Sequence, residues 1–294
     1  MLRTLHDILS EFLSSWSLFS GMYLAGWLIA GTLALAGVLV VARDQVFLGA
    51  AVAQSSTLGI AIALWLESAL LLEHGTLTHT LLSPGVLAVV CAVLAATLTR
   101  GSREAGRESN EAITGWVFLL SASGSVLIVA KSPHGLDEIQ KLLSSTILGA
   151  SAADVWLFAL LFAATTVGLL LSWRRLLLLT LDPPMATAVG MRTELWSFAM
   201  SVCLGLVVGL TLRASGLLYA FGCLVLPALC AKSLCREVRA MFLLAPVIAV
   251  GTALVGFVLA NYYDYPPTQA TVALQCLLLC GSWGWSRFRK HRRN

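Results

Sequence analysis

The chain has 294 residues, 58% of them hydrophobic and 12% charged, with a formal net charge of +4. Soluble domains carry about 25% charged residues, yet here nine stretches hold none: 16–42, 46–66, 81–99, 112–130, 155–173, 195–212, 214–231, 240–260 and 268–286. Each is close to the ~20 residues that take a helix across a ~30 Å hydrocarbon core, which excludes a cytosolic enzyme, a nucleic-acid-binding module, a disordered chain and a disulfide scaffold. The pattern predicts an all-α, polytopic transmembrane bundle of about nine spanning helices, a single domain over residues 1–294.

Ahead of the first stretch, Leu2, Leu5, Ile8, Leu9, Phe12 and Leu13 share one helical face. They predict an amphipathic helix along the outer interface. Asp7, Glu11 and the long apolar run that follows argue against a cleavable signal. The second stretch carries Gln54-Ser55-Ser56-Thr57. Polar groups at membrane depth face protein or a water-filled path, and Ser and Thr also bond helix to helix. Both readings stay open, with Gln54 the foremost candidate to line a path.

Three connections are long. Arg100–Glu111 is charged and reads as a solvated inner connector. Lys131–Asp154 lies outside, where Leu136, Ile139, Leu142, Leu143 and Ile147 predict a short amphipathic helix and His134 reads as a solvated loop histidine. The third, 174–194, is the most informative. Asp182 suits an N-cap, because its carboxylate can accept from first-turn N–H groups. Pro183 suits the first helical position and Gly190 the left-handed cap at the other end. A two-turn helix from Pro183 to about Val189 is expected, outside the membrane, with Met185 and Ala186 as its exposed side chains. In the 214–231 stretch Pro227 removes one backbone hydrogen bond, making either a gating hinge or a packing kink.

Lys and Arg are sorted by side. With the amino terminus outside and nine spans, fifteen of the nineteen fall on inner segments, and only Arg3, Lys131, Lys141 and Arg213 fall outside. The positive-inside rule therefore sets the amino terminus outside and the carboxyl terminus in the cytoplasm, and Arg287–Arg293 read as a cytoplasmic anchor. Of seven cysteines, six lie in apolar stretches, Cys235 is in an inner loop, and no Cys-x-x-Cys occurs. Cys223 with Cys230, and Cys276 with Cys280, share helix faces, so a soft-metal path is conceivable, but buried cysteine usually acts as a small hydrophobe.

Four segments in order resemble one family, the zinc, manganese and iron permeases of bacterial ATP-binding-cassette (ABC) importers. Leu179–Met191 is similar to its F-D-P-x-x-A-x-x-x-G loop, with Leu181 in place of the aromatic. Gly216–Ala231 is similar to its G-x-L-L-(apolar)-P-A-x-x-A helix, and Tyr262–Val272 to its Y-x-x-D-x-P-x-G segment, with Thr268 for the glycine. Leu143–Asp154 resembles its L-F-G-S-I-L-G-x-S-x-x-D stretch. The likeness covers about residues 20–285. One departure stands out: the family's G-D-A-x-S-H-A-x-x-x-G reads Gly49-Ala50-Ala51-Val52-Ala53-Gln54-Ser55-Ser56-Thr57-Leu58-Gly59, so the aspartate is Ala50 and the histidine Gln54. Asp and His suit hard-to-borderline metals. Gln54 offers one weak neutral ligand and Ala50 none.

The resemblance implies a type II importer-like permease, a transport subunit and not an enzyme, in a bacterial plasma membrane. Its partners would be ATPase subunits, a second permease subunit (homo- or heterodimer) and an extracytoplasmic solute-binding protein. No cofactor is expected on this chain, ATP and Mg belonging to the ATPase. No Gly-x-x-x-x-Gly-Lys-Ser/Thr loop occurs in it. Coupling to the ATPase would fall on Asp182, Pro183, Met185, Ala186 and Gly190. The path would run by Ala50, Gln54, Ser55, Thr57 and Pro227. Alternatives are a permease for a chelated metal or a cobalamin- or siderophore-type substrate, and an ATP-independent channel or secondary transporter. Against the last stands the lack of charge at membrane depth.

Overall fold

In the computed structural model, residues 2–70, 82–99, 110–130, 147 and 151–291 are described, with side chains from 10–67 and up to 286. Among them are ten helices and no strand: α1 Leu2–Ala42, α2 Val46–Leu70, α3 Pro84–Leu98, α4 Asn110–Val129, α5 Ala152–Leu181, α6 Pro183–Ala188, α7 Thr193–Ser215, α8 Leu217–Leu234, α9 Val238–Tyr263 and α10 Pro267–His291. By length and composition seven can cross a membrane, drawn from α1, α2, α4, α5, α7, α8 and α9. Among the described residues, seven of the nine charge-free stretches thus fall in helices long and apolar enough to span. α3 has 15 residues, about 22 Å of helix, and α10 dilutes its apolar run with Gln269, Gln275 and polar residues toward its end.

Local chemistry fixes the ends. Ser151 and Asp154 form a reciprocal cap on α5: the Ser151 backbone N–H donates to Asp154 Oδ2 at 2.9 Å, and the Asp154 N–H donates to Ser151 Oγ at 3.3 Å. Pro84 and Pro267 start their helices where no N–H is needed. Gly216, at φ 79°, ends α7 and lets α8 start one residue later. That break falls three residues beyond Arg213, where the charge pattern had set it.

Two further expectations change. The outer interfacial helix is not separate, because α1 runs unbroken from Leu2 to Ala42; no Pro or Gly interrupts its first turns. The 174–194 loop is shorter than its charges suggested, since α5 continues past Arg174 and Arg175 to Leu181. Residues 136–146, His134 and most of Arg100–Glu111 lie outside the described residues, and of the expected Leu136–Ile147 helix only Ile147, buried, is described.

The helices group into two compact units. The first comprises α1, α5 through Trp173, α8 from Leu218, α9 and α10. Here α1 packs along α9 and α9 along α10, over a core of Tyr23, Ile29, Leu33, Tyr219, Leu224 and Phe257. Gly37 of α1 faces the Leu224 main-chain carbonyl of α8 so closely that a methyl group there would overlap it. Tyr219 crosses the same seam, its hydroxyl donating to the Gly26 carbonyl at 2.9 Å. Lys232 Nζ donates to the Val41 carbonyl at 3.3 Å and to Asp44 Oδ1 at 2.5 Å. Both ends of that pair are solvated, so it orients the end of α1 more than it stabilises it.

The second unit comprises α2, α3, α4, the last residues of α5 from Arg174, α6 and α7. α2 packs on α3, α4 and α7, and α3 on α7. Gly205 and Gly209 of α7 lie against Val93 and Val89 of α3, where an added Cβ would meet Cα atoms at 2.6 and 2.7 Å. Such small-residue spacing lets backbones close in where lipid supplies no hydrophobic drive. Alanines 88, 92, 95 and 96 do the same on α3.

Candidate functional site

The capped loop is built as its residues dictate. Asp182 Oδ1 accepts from the Met185 N–H at 3.0 Å, and Pro183 occupies the first turn. The Asp182 N–H itself donates back to the Leu178 carbonyl at 3.0 Å, so one residue ends α5 and starts α6. At the other end Gly190 sits at φ 81°. Its N–H donates to the Thr187 carbonyl at 2.9 Å, and the Met191 N–H reaches the Ala186 carbonyl at 3.0 Å. That pair of bonds is a Schellman closure. The helix ends at Ala188 with Val189 as its cap, one residue short of expectation.

One expectation about this helix is corrected. Met185 is 50% exposed, but Ala186 is 0% exposed and seats α6 within its unit. A helix six residues long needs one face to pack, and the smallest side chain takes it. The exposed partners of Met185 are Leu181 at 61% and Val189 at 65%, four residues to either side. Leu195 and Phe198, also exposed, extend the apolar area at the start of α7. The guanidinium carbon of Arg175 stands 5.1 Å from the centre of the Trp196 ring, tying the end of α5 to the first turn of α7. Leu181, the last residue of α5, and Val189, the C-cap of α6, were missed as surface residues; they flank the two ends of α6.

On α2 the polar cluster divides. Ala50, Gln54 and Leu58 are half-buried along one stripe, while Ala51–Ala53 and Ser55–Thr57 are buried. Ser55 Oγ shares a 2.7 Å hydrogen bond with Ser121 Oγ of α4, and Thr57 Oγ1 donates to the Ala53 carbonyl at 3.3 Å. Ser56 Oγ is buried without a hydrogen-bond partner. Ser55 thus makes the helix–helix bond that was one of its two readings, and the stripe of Ala50 and Gln54 is the more open face.

Pro227 stands in the first unit, buried inside α8. It has no N–H to give the Cys223 carbonyl four residues earlier. All seven cysteines are free thiols, Cys223 and Cys230 buried, Cys276 and Cys280 exposed. Among the described residues no group of three or more His, Cys, Asp or Glu stands ready to hold a metal ion.

Known proteins share this pattern. The model of the ABC 3 transport family matches residues 16–284. A probable iron transport system membrane protein of Haemophilus influenzae is 25% identical over 63% of this chain and 66% of its own length. The manganese import system permease ScaB of Streptococcus gordonii is 24% identical over 84% of each chain. Among solved structures, PsaBC of Streptococcus pneumoniae in complex with Fab superposes with a TM-score of 0.75 at 18% identity, over 94% of this chain and 95% of that one; at that identity the likeness speaks for the fold. With the family model spanning nearly its whole length, the chain belongs to the ABC 3 transport family.

Proposed function

We propose that the chain is the membrane-spanning permease subunit of an ATP-driven importer for a divalent transition metal: zinc, manganese or iron. Family membership over residues 16–284 carries this reading, and relatives named for iron and manganese transport support it. In this reading the chain crosses a bacterial plasma membrane nine times, amino terminus outside and carboxyl terminus in the cytoplasm. It pairs with a second permease subunit. Two ATPase subunits carrying ATP and Mg sit inside, and a solute-binding protein delivers the metal outside.

Coupling rests on α6. A helix capped at both ends by Asp182 and Gly190 moves as a rigid piece, and Leu181, Met185 and Val189 give it an apolar face for a cleft on the ATPase. Ala186 fixes its seat. Along the path, Ala50 and Gln54 present one neutral amide where typical members present a carboxylate and an imidazole. That departure favours a second reading, a metal that arrives with its own chelating ligands. Uptake into proteoliposomes, with the ATPase, binding protein and any second permease subunit reconstituted, tests both. ATP-dependent entry of zinc, manganese or iron as free ions supports the first reading. Entry of the chelates alone supports the second, and ATP-independent entry overturns both.

A further inference from the structure

The first turns of α1 do not run straight into its buried part. The ring centres of Phe12 and Tyr23 are 4.8 Å apart, and those of Trp16 and Trp27 are 5.9 Å apart. Each pair is eleven positions apart in sequence, which in a straight helix is about 16 Å of axis. Helical side chains all lean toward the amino terminus, so two aromatic rings cannot close that gap between them. α1 therefore bends between Trp16 and Tyr23 while staying helical. Ser17, Ser20 and Gly21, all weak helix formers, lie in the bend. Residues 10–16 fold back as an arm beside Tyr23 and Trp27, within the first unit. Phe12 and Trp16 hold it by their rings, and one hydrogen-bond chain holds it by Ser15. The Tyr23 hydroxyl donates to Asn261 Oδ1 of α9 at 3.2 Å, Asn261 Nδ2 donates to Ser15 Oγ at 3.3 Å, and the Ser15 hydroxyl donates to the Glu11 carbonyl at 2.9 Å. Ser10, Glu11, Leu13 and Ser14 are exposed. A segment held by a few rings and one long hydrogen bond belongs to the low end of local stability.

Seating the arm leaves one group unsatisfied. Trp27 Nε1 is sealed from solvent with no hydrogen-bond acceptor. The rings it meets do not serve as one. Trp16 is tilted from the indole plane by 34° and Tyr23 by 15°, so neither turns its face to an N–H that lies in that plane. A buried donor without an acceptor is destabilising, and native structures keep few of them. With Trp16 lifted away, the indole edge meets water or a lipid ester and its N–H is satisfied. Ring stacking favours the seated arm and the orphaned N–H opposes it, and the two effects are of similar size.

We propose that residues 10–16 are a strap, hinged at Ser17–Gly21, that alternates between this seated state and an open one, with the Trp27 N–H setting the balance. Seated, the strap ties the start of α1 to the end of α9 through Asn261. Open, it frees that end of α9 and uncovers Tyr23 and Trp27. The device goes beyond the importer reading and stands or falls without it.

The test places nitroxide labels on Ser14→Cys and Tyr263→Cys, both exposed positions, in the full-length chain with its seven native cysteines replaced. Double electron–electron resonance on the chain in lipid nanodiscs should find two distance populations, the shorter being the seated strap. Replacing Trp27 by 3-benzothienylalanine keeps the ring shape and puts sulfur where the N–H was. It should shift the ratio toward the shorter distance at least about fivefold. Trp16→Ala removes the covering ring and should shift it the other way. Melting temperature and gel filtration verify that each variant is folded, with Phe12→Leu as the second route if Trp16→Ala is not. A single narrow distance overturns the strap. So does a ratio that loss of the N–H leaves unchanged or moves toward the longer distance, and so does one that loss of the ring contact leaves unmoved.

Discussion

Single side chains decide two features of this molecule. Gly37 is the closest approach of α1 to α8, where even a methyl group would overlap the Leu224 carbonyl. Backbone cannot step aside as a flexible side chain can, so Gly37→Ala is expected to cost at least about 1–3 kcal/mol. The thermal midpoint in detergent should fall, whereas Gly251→Ala, with nothing within 4 Å, should leave it unchanged or slightly raised. On α2, Ala50 and Gln54 share a half-buried stripe. Ala50→Asp with Gln54→His restores a carboxylate and an imidazole one turn apart. Equilibrium dialysis should find one added site for zinc or manganese per chain, and failure to gain it means the stripe does not converge on an ion. The motif alone showed that the two ligands are replaced. It did not show that Ser55 turns away to Ser121 while Gln54 does not, because burial of a given helix face depends on which neighbours cover it.

At the scale of elements, α6 was the most legible from sequence. Asp182, Pro183 and Gly190 each satisfy or avoid a backbone group within a few residues of themselves, so local chemistry was enough to place both ends. Replacing Asp182 by Ala removes the acceptor for the Met185 N–H and should cost about 1 kcal/mol of local helix stability. Gly190→Ala forces a side chain into φ 81°, at a further cost of about 1–2 kcal/mol. Hydrogen exchange at 183–191 should rise in both variants, with the rest of the chain unaffected. If α6 docks to the ATPase, Leu181→Ser with Val189→Ser should weaken co-purification of the ATPase subunit without changing that exchange, while Ala186→Ser should disturb α6 itself. The choice between Ala186 and its neighbours was not legible, because the side that packs is set by α7, not by the six residues of α6.

At the scale of the whole molecule, the charges specify sidedness as an expectation that labelling can check. A single cysteine at position 3 should react with an impermeant maleimide from outside intact cells, and one at position 290 only after lysis. The reverse pattern overturns the assigned orientation. The sequence by itself determined the all-helical membrane class and the two ends of α6, marked by Asp182, Pro183 and Gly190. These follow from composition and from contacts within one or two turns. Only the tertiary structure decided that the helices group as two units, that Gly37 meets a carbonyl, and that Gln275 meets Cys223 fifty-two positions away. Those outcomes depend on which helix faces meet, and in a chain this uniformly apolar nearly every face is acceptable to lipid. Hydrophobic pattern therefore cannot choose the neighbours, and the choice falls to close-packed small residues and a few buried polar atoms that need each other.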